Sequence, residues 1–252
     1  MILPLDTHAH IEPGIASAEL TSLRSCVIAV TRTLSDYEQT RDRPDRCVVW
    51  GAGCHPGLAR EVKSFSASRM REAIATTPII GEIGLDGAAR TPMESQLTAL
   101  RAILQLASDT PRLLSVHSYR ATGLVVRELR DFRPDAAILH WWLGSPEETE
   151  ATVDAGAYFS VNASQAKSWK SLNLVPLDRL LLETDHPFGD RSEIPPRRPG
   201  NLAKSESAVS AALSVSPDAL RHQTWRNLKA IAERLNLVEM FPRDFQVQFL
   251  AV

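Results

Sequence analysis

Disulfide chemistry, a basic surplus and long apolar runs are all missing from this sequence, and each absence removes a class of protein. Three cysteines in 252 residues are too few for a disulfide scaffold, and the odd count argues against a fully paired set. A reducing cytosol is therefore the expected setting. Lys and Arg number 28 against 30 Asp and Glu, a formal net charge of −2. A protein that coats nucleic acid carries a strong basic excess, so that class is excluded. Local grip on nucleic acid is not, because a metal site and a few arginines can supply positive charge where it is needed. No apolar run approaches the ~18–20 residues that span a bilayer. The start, MILPLDTHAH, has no basic segment and few apolar residues before Asp6, unlike a signal peptide. The expectation is a soluble, cytoplasmic protein with no membrane partner. Internal repeats and low-complexity tracts are absent too.

What is present is an alternation. Short apolar runs lie at Ile2–His8, Cys26–Thr31, Cys47–Gly53, Pro78–Gly84, Arg112–His117, Ala137–Trp141, Ala157–Asn162 and Arg179–Asp185. Each is continuous, as expected of parallel strands covered on both faces. Between and after them, helical spacing appears at Ser64–Thr76, Met93–Ser108, Ala121–Asp131, Pro146–Asp154, Ala203–Leu213 and Pro217–Leu235. Ser145 is a plausible N-cap for the fourth of these. Eight strands alternating with helices in a chain of barrel length, typically roughly 250 residues, predict a single (β/α)8 TIM-barrel domain over residues 1–252. An extra C-terminal helix and a tail complete it. An open doubly wound sheet is the structural alternative. Gly189–Asn201 reads as a long loop after the last strand, and the tail beyond Asn236 as an irregular wrap.

Polar residues in the runs gather at one end. Asp6, His8 and His10 share parity and so would face the same way on a strand. Glu82, His117, His140 and Asp185 end or nearly end strands four, five, six and eight. Active sites of TIM barrels are built at this rim from several strands. Four imidazoles and two carboxylates suit divalent ions such as Zn, Mn or Mg. A polar core of six ionisable groups is costly without ions. Six ligands exceed one tetrahedral site, and Glu82 as a bridge would let two ions sit ~3.5–4 Å apart around a shared hydroxide nucleophile. Asp185 could ligate and also move the proton off the attacking water.

In order and spacing, DTHAH, GCHPG, GEIGLD, SVHS, ILHWWLGS and LLETDHP resemble the TatD-type deoxyribonucleases of the amidohydrolase superfamily. The resemblance runs from Ile2 to about Asn227. It implies a TIM barrel, two divalent ions and phosphodiester hydrolysis, typically as a 3′ to 5′ exonuclease on single-stranded DNA. By motif position it makes His8 and His10 ligands of a first ion, Glu82 the bridge and His117 and His140 ligands of a second. Asp185 is then the ligand that also transfers a proton. His55 falls where a substrate-phosphate contact is expected, and Glu183 where a substrate group or a support for the ligands is expected. Gly-Ala-Ala-Arg after Asp86, Trp141-Trp142 after His140, and His186 depart from the family pattern, and all lie around the mouth. The ETDHPFGD segment is closer to TatD-like proteins of bacterial anti-phage defence operons, including the one called Qat, than to the housekeeping branch. That implies operon-encoded protein partners.

Other residues leave alternatives open. Arg191, Arg197 and Arg198 could reach phosphates. Trp141 or Trp142 could stack on a base. His186 reads as a rim or substrate residue rather than a ligand, and Cys54 as packing rather than a zinc ligand. The same metal chemistry would serve amide, ester or lactone hydrolysis. A defence-complex subunit using the barrel as a binding surface is the non-enzymatic alternative.

Overall fold

Parity along the strands divides the apolar residues into two layers. The structure, a computed structural model, describes residues 2–191 and 197–252. Its strands are β1 (Leu5–Ala9), β2 (Cys26–Val30), β3 (Val48–Gly51), β4 (Ile79–Gly84), β5 (Leu113–His117), β6 (Ala137–His140), β7 (Tyr158–Val161) and β8 (Leu180–Leu182). They pair in chain order, and every pairing is parallel. Ala52 bridges to Ile80 between β3 and β4. The ring closes from β8 to β1, where Asp185 N donates to His8 O at 2.9 Å and Thr7 Oγ1 donates to Leu182 O at 2.9 Å. This closure is the expected TIM barrel and excludes the open sheet.

Ile28, Leu113, Ile138, Tyr158 and Leu181 belong to one buried cluster, and their sequence neighbours Val27, Leu114, Leu139, Phe159 and Leu182 to another. The second cluster includes Leu100, Ile103 and Leu129 from the outer helices. Both faces of the strands are thus covered, which is why the runs read as continuously apolar.

β4 breaks this alternation. Ile80 and Ile83 sit in the same cluster, and the pairing of β4 with β5 is irregular between them. The intervening Glu82 is turned so that its N donates across to Thr31 O at 2.9 Å. Gly81 makes room for the turn, since a Cβ there would lie 2.7 Å from the Ser115 Cβ. The irregularity delivers Glu82 to the barrel axis.

The helices are α1 (Ser17–Ser22), α2 (Leu34–Thr40), α3 (Ala59–Lys63), α4 (Ala67–Ile74), α5 (Met93–Asp109), α6 (Thr122–Phe132), α7 (Pro146–Asp154), α8 (Ala163–Ser168), α9 (Ala203–Leu213), α10 (Pro217–Arg234) and α11 (Arg243–Ala251). The six expected helices are α4 to α7, α9 and α10. Ser145 and Glu148 form a reciprocal capping box on α7. The short α1, α2, α3 and α8, of five to seven residues, span too few turns to show periodicity. The tail is not irregular: α11 buries Phe245 and Phe249, and both rings pack edge-on against Trp225 of α10. Among the described residues no helix is long and apolar enough to cross a membrane.

Asp6 does not join His8 and His10 at the mouth, because the register of β1 shifts between Asp6 and Ala9. Its buried carboxylate accepts Thr184 N at 2.9 Å, Thr184 Oγ1 at 2.6 Å and Gly200 N at 2.8 Å. It therefore ties β1 to both ends of the segment that follows β8.

Candidate metal centre

Glu82 is the centre of the site. Its Oε1 lies 2.7 Å from His117 Nδ1 and 2.8 Å from His140 Nε2. Its Oε2 lies 3.2 Å from His10 Nε2 and 3.3 Å from His55 Nε2. Asp185 Oδ1 stands 3.7 Å from both His8 Nε2 and His10 Nε2. The six residues expected as ligands are thus gathered at one end of the barrel. Two of them sit at chain reversals, since Asp185 (φ 45°) is left-handed and His140 precedes left-handed Trp141 (φ 40°). Trp141 is held by its N donating to Glu183 Oε1 at 3.1 Å.

The donor set fits divalent ions. His8 Nε2, Glu82 Oε2 and Asp185 Oδ1 are buried with no hydrogen-bond partner among the described residues. Buried polar atoms without partners are uncommon and costly. Ligand atoms of His8, His10 and Asp185 lie within 4.8 Å of one another, as do those of His8, Glu82 and His140. His117 Nδ1 and His140 Nε2 are 3.0 Å apart, both facing Glu82 Oε1.

Electrostatics match this grouping. Burial would raise the Glu82 carboxyl, yet the imidazoles of His55, His140 and His117 hold it well below the usual carboxylate range. Burial, reinforced by Glu82, pushes Asp185 well above its ordinary value. Burial, with His140 adding to it, keeps His8 neutral by lowering it well below 6.5. His117 is the exception: burial would lower it, but Glu82 and Asp86 carry it up to about 9. Neutral imidazole is the form that binds a metal, so ions and protons compete here.

A supporting layer orients the rings. Ser115 Oγ shares a hydrogen bond with His8 Nδ1 at 2.8 Å, leaving Nε2 toward Asp185. Asp86 Oδ2 stands 3.6 Å from His117 Nε2. Glu183 Oε1 stands 3.9 Å from His140 Nδ1. Of the two expectations for Glu183, substrate contact or support for the ligands, its burial favours the second: it is 0% exposed, and Ser160 Oγ and Asn162 Nδ2 donate to it.

His55 lies inside the group, but its ring is set differently. Gly57 N donates to His55 Nδ1 at 2.9 Å, so the neutral ring carries its proton on Nε2. Burial keeps that ring neutral, with a pKa lowered to about 4. In this tautomer Nε2 is the protonated nitrogen, although the ring also stands with Glu82 and His117 in a group that could hold an ion.

Above the centre lies a cavity of about 460 Å³. Arg32, Tyr119, Trp141, Leu143, Phe188 and Arg191 form much of its rim. Trp142 is 0% exposed and is wall packing, with Nε1 donating to Thr149 Oγ1 at 3.0 Å. Arg197 and Arg198, expected to touch substrate, do not line this cavity. They are exposed beside residues 192–196, outside the described residues, and Arg197 lines a neighbouring hollow with His186 and Asp190. His186 turns to Asp190, with Nδ1 at 2.6 Å from Oδ2. Cys54 is buried in the core, and burial pushes its thiol up to about 12. Arg32, Tyr119, Phe188 and the supporting role of Asp86 escaped the sequence reading. Only Asp86, which closes the GEIGLD motif, carried a signal there.

The family model for TatD related DNase matches residues 5–233. The chain belongs to this family. Among similar proteins, a putative deoxyribonuclease of the mouse, TATDN3, is 25% identical over 252 residues, covering 88% of this chain and 86% of that protein. The 3′-5′ ssDNA/RNA exonuclease TatD of Erwinia amylovora is 32% identical over 198 residues, covering 71% of this chain and 76% of that protein. The TatD-family fold is also that of the Escherichia coli TatD homolog YJJV, with a TM-score of 0.81 at 23% identity, covering 92% of this chain and 98% of that one.

Proposed function

We propose that this TatD-family chain is a 3′ to 5′ exonuclease acting on the ends of single-stranded DNA through two divalent ions. The observation that carries the reading is Glu82, ringed by four imidazoles within 3.3 Å at the floor of a cavity large enough for one small ligand. Ions bound there would supply Lewis-acid charge and water acidified to near neutrality. His8, His10 and Asp185 would hold one ion, and His117 and His140 the other, with Glu82 between them. His55 would donate Nε2–H to a phosphate oxygen, positioning the scissile group. Asp185, facing the cavity, would take the proton of the attacking water. Trp141 would give the terminal base a surface to stack on.

The test is digestion of single-stranded DNA labelled at its 5′ or 3′ end, with Mg²⁺, Mn²⁺ or Zn²⁺. Mononucleotides should leave from the 3′ end, and both EDTA and Glu82→Gln should stop their release. Release that persists in EDTA, or in Glu82→Gln, would sink the reading. Hydrolysis of an amide, ester or lactone is the second reading, favoured by the exposed apolar Tyr119 and Leu143 at the rim. Small amides and esters in the same assay separate the two. A cytoplasmic location suits Cys26, Cys47 and Cys54, all buried and free. A role in anti-phage defence, with operon-encoded partners, rests on the ETDHPFGD segment. A plaque assay comparing wild type with Glu82→Gln in an operon-bearing host tests it. Equal protection by both would favour the barrel as a binding surface over catalysis.

A further inference from the structure

Arg32 lies two residues beyond β2 and lines the cavity wall without being part of the metal cluster. Its guanidinium makes no ion pair among the described residues, and its Nε is buried without a hydrogen-bond partner. An arginine that lines the same cavity as Glu82 and Asp185 and has no ion pair among the described residues is unusual, because buried donors are normally satisfied. What holds it is Phe188: the Arg32 guanidinium carbon sits 5.9 Å from the ring centroid and that of Arg191 5.4 Å from the same ring. Phe188 in turn packs edge-on against His10 at 5.4 Å. One aromatic ring thus positions two cations next to the metal ligands.

The position of this bracket is informative. Arg32, Phe188 and His10 line the cavity above Glu82 and also a second cavity of about 560 Å³ on the far side. That second space runs past Ile11, Ile15 and Pro199 and has Glu12 and Glu19 on its walls. The wall shared by the two spaces carries Arg32 and Phe188 of this bracket. A phosphate at the metal centre would be held by the ions and His55. A guanidinium on the wall shared with the next space fits the neighbouring phosphate of the same chain. Arg forks match phosphate oxygens in pairs.

Resting on the nuclease reading above, we propose that Arg32, steadied by Phe188 and flanked by Arg191, binds a second phosphate of the substrate, adjacent to the one cleaved. The preferred substrate is then an oligonucleotide, or a dinucleotide bearing a terminal phosphate, over an isolated phosphodiester. The acidic far wall confines that contact to the bracket.

The test uses the metal-loaded full chain with dithymidylate carrying a 5′ phosphate, a 3′ phosphate or none. The bond cleaved is the same in all three. Wild type should show a kcat/KM about tenfold to a hundredfold higher for one phosphorylated form than for the bare dinucleotide, the range of a charged hydrogen-bonded contact. Arg32→Met, which keeps an unbranched stem over Phe188, should erase most of that preference through KM, and Arg32→Lys should retain part of it. Metal content and circular dichroism confirm that both variants are folded and loaded. A wild type with no preference for either phosphorylated form overturns the proposal, as does an Arg32→Met variant that keeps the full preference. If loaded wild type cleaves bis(4-nitrophenyl) phosphate but no dinucleotide or longer strand, the nuclease reading itself fails, and the proposal with it.

Discussion

Glu183→Gln should weaken metal binding while leaving the fold intact. Glu183 Oε1 accepts Trp141 N at 3.1 Å and Asn162 Nδ2 at 3.2 Å, and a glutamine oxygen can accept both. On the other side Ser160 Oγ donates to Oε2; facing an amide, that hydroxyl can turn and accept. What the substitution removes is the carboxyl group 3.9 Å from His140 Nδ1, which burial and the neighbouring Asp185 push well above the usual carboxylate range and which the charge of bound ions would bring back toward ionisation. Carboxylates behind metal-binding histidines fix the tautomer and raise ligand basicity, and their loss commonly costs 10–100-fold in affinity or activity. Here the separation exceeds hydrogen-bond length, which places the effect at the lower end, about tenfold or ~1.4 kcal/mol. Titration of metal-free protein with Mn²⁺, followed by calorimetry, measures it directly. Activity against Mn²⁺ concentration should shift by a similar factor and recover at high metal. An unchanged metal affinity with a raised KM for DNA would refute this reasoning and return Glu183 to the substrate.

Other outcomes follow from the same geometry. Glu82→Gln should lose bound metal and reduce activity to that of EDTA-treated protein, checked by elemental analysis beside the digestion assay. Trp142→Ala should cost about 3–5 kcal/mol, since the side chain is fully buried. At about 2–4 °C per kcal/mol for a chain of this size, Tm should fall by roughly 6–20 °C by calorimetry; a smaller loss than Trp142→Phe gives would contradict the packing. Asp45 accepts from Arg43, Trp50 and Ser17; burial opposes ionisation, but these donors win and its pKa is lowered. A depressed folded value means the carboxylate stabilises the protein above the unfolded pKa of about 3.9, and that contribution fades as pH falls through the folded value. Urea denaturation should therefore show wild type exceeding Asp45→Asn at pH 7, with the gap narrowing as pH falls below the unfolded pKa of about 3.9.

Reading direction separates what the sequence disclosed from what it hid. His8, His10, His117, His140 and Asp185 could be found because each ends an apolar run, and a polar residue there has few places to go but the rim. Glu82 was found the same way, although strict alternation would not place it. The irregularity beyond Ile80 that turns it inward depends on Gly81 meeting Ser115, a contact between strands. Glu183 belongs to the same motif as Asp185, yet its side chain goes below the ligands; residue type alone does not give depth. Arg32 carried no signal, because its meaning comes from Phe188, over a hundred and fifty positions away in sequence. The tail misled for a local reason. Phe241, Phe245 and Phe249 recur every fourth residue, a helical spacing, but the helix is only nine residues long and relies on Trp225 for its partner.

Asp6 has a consequence for how this barrel can diversify. One carboxylate grips Thr184 on one side and Gly200 on the other, so the stretch between them leaves and re-enters the barrel at a single fastening. Phe188 and Arg191 belong to that stretch, and both help shape the rim. Insertions or replacements within it can retailor the entrance while His8 and Asp185, at the roots, keep their places. The cover is an exchangeable part, and the ion-binding floor is not.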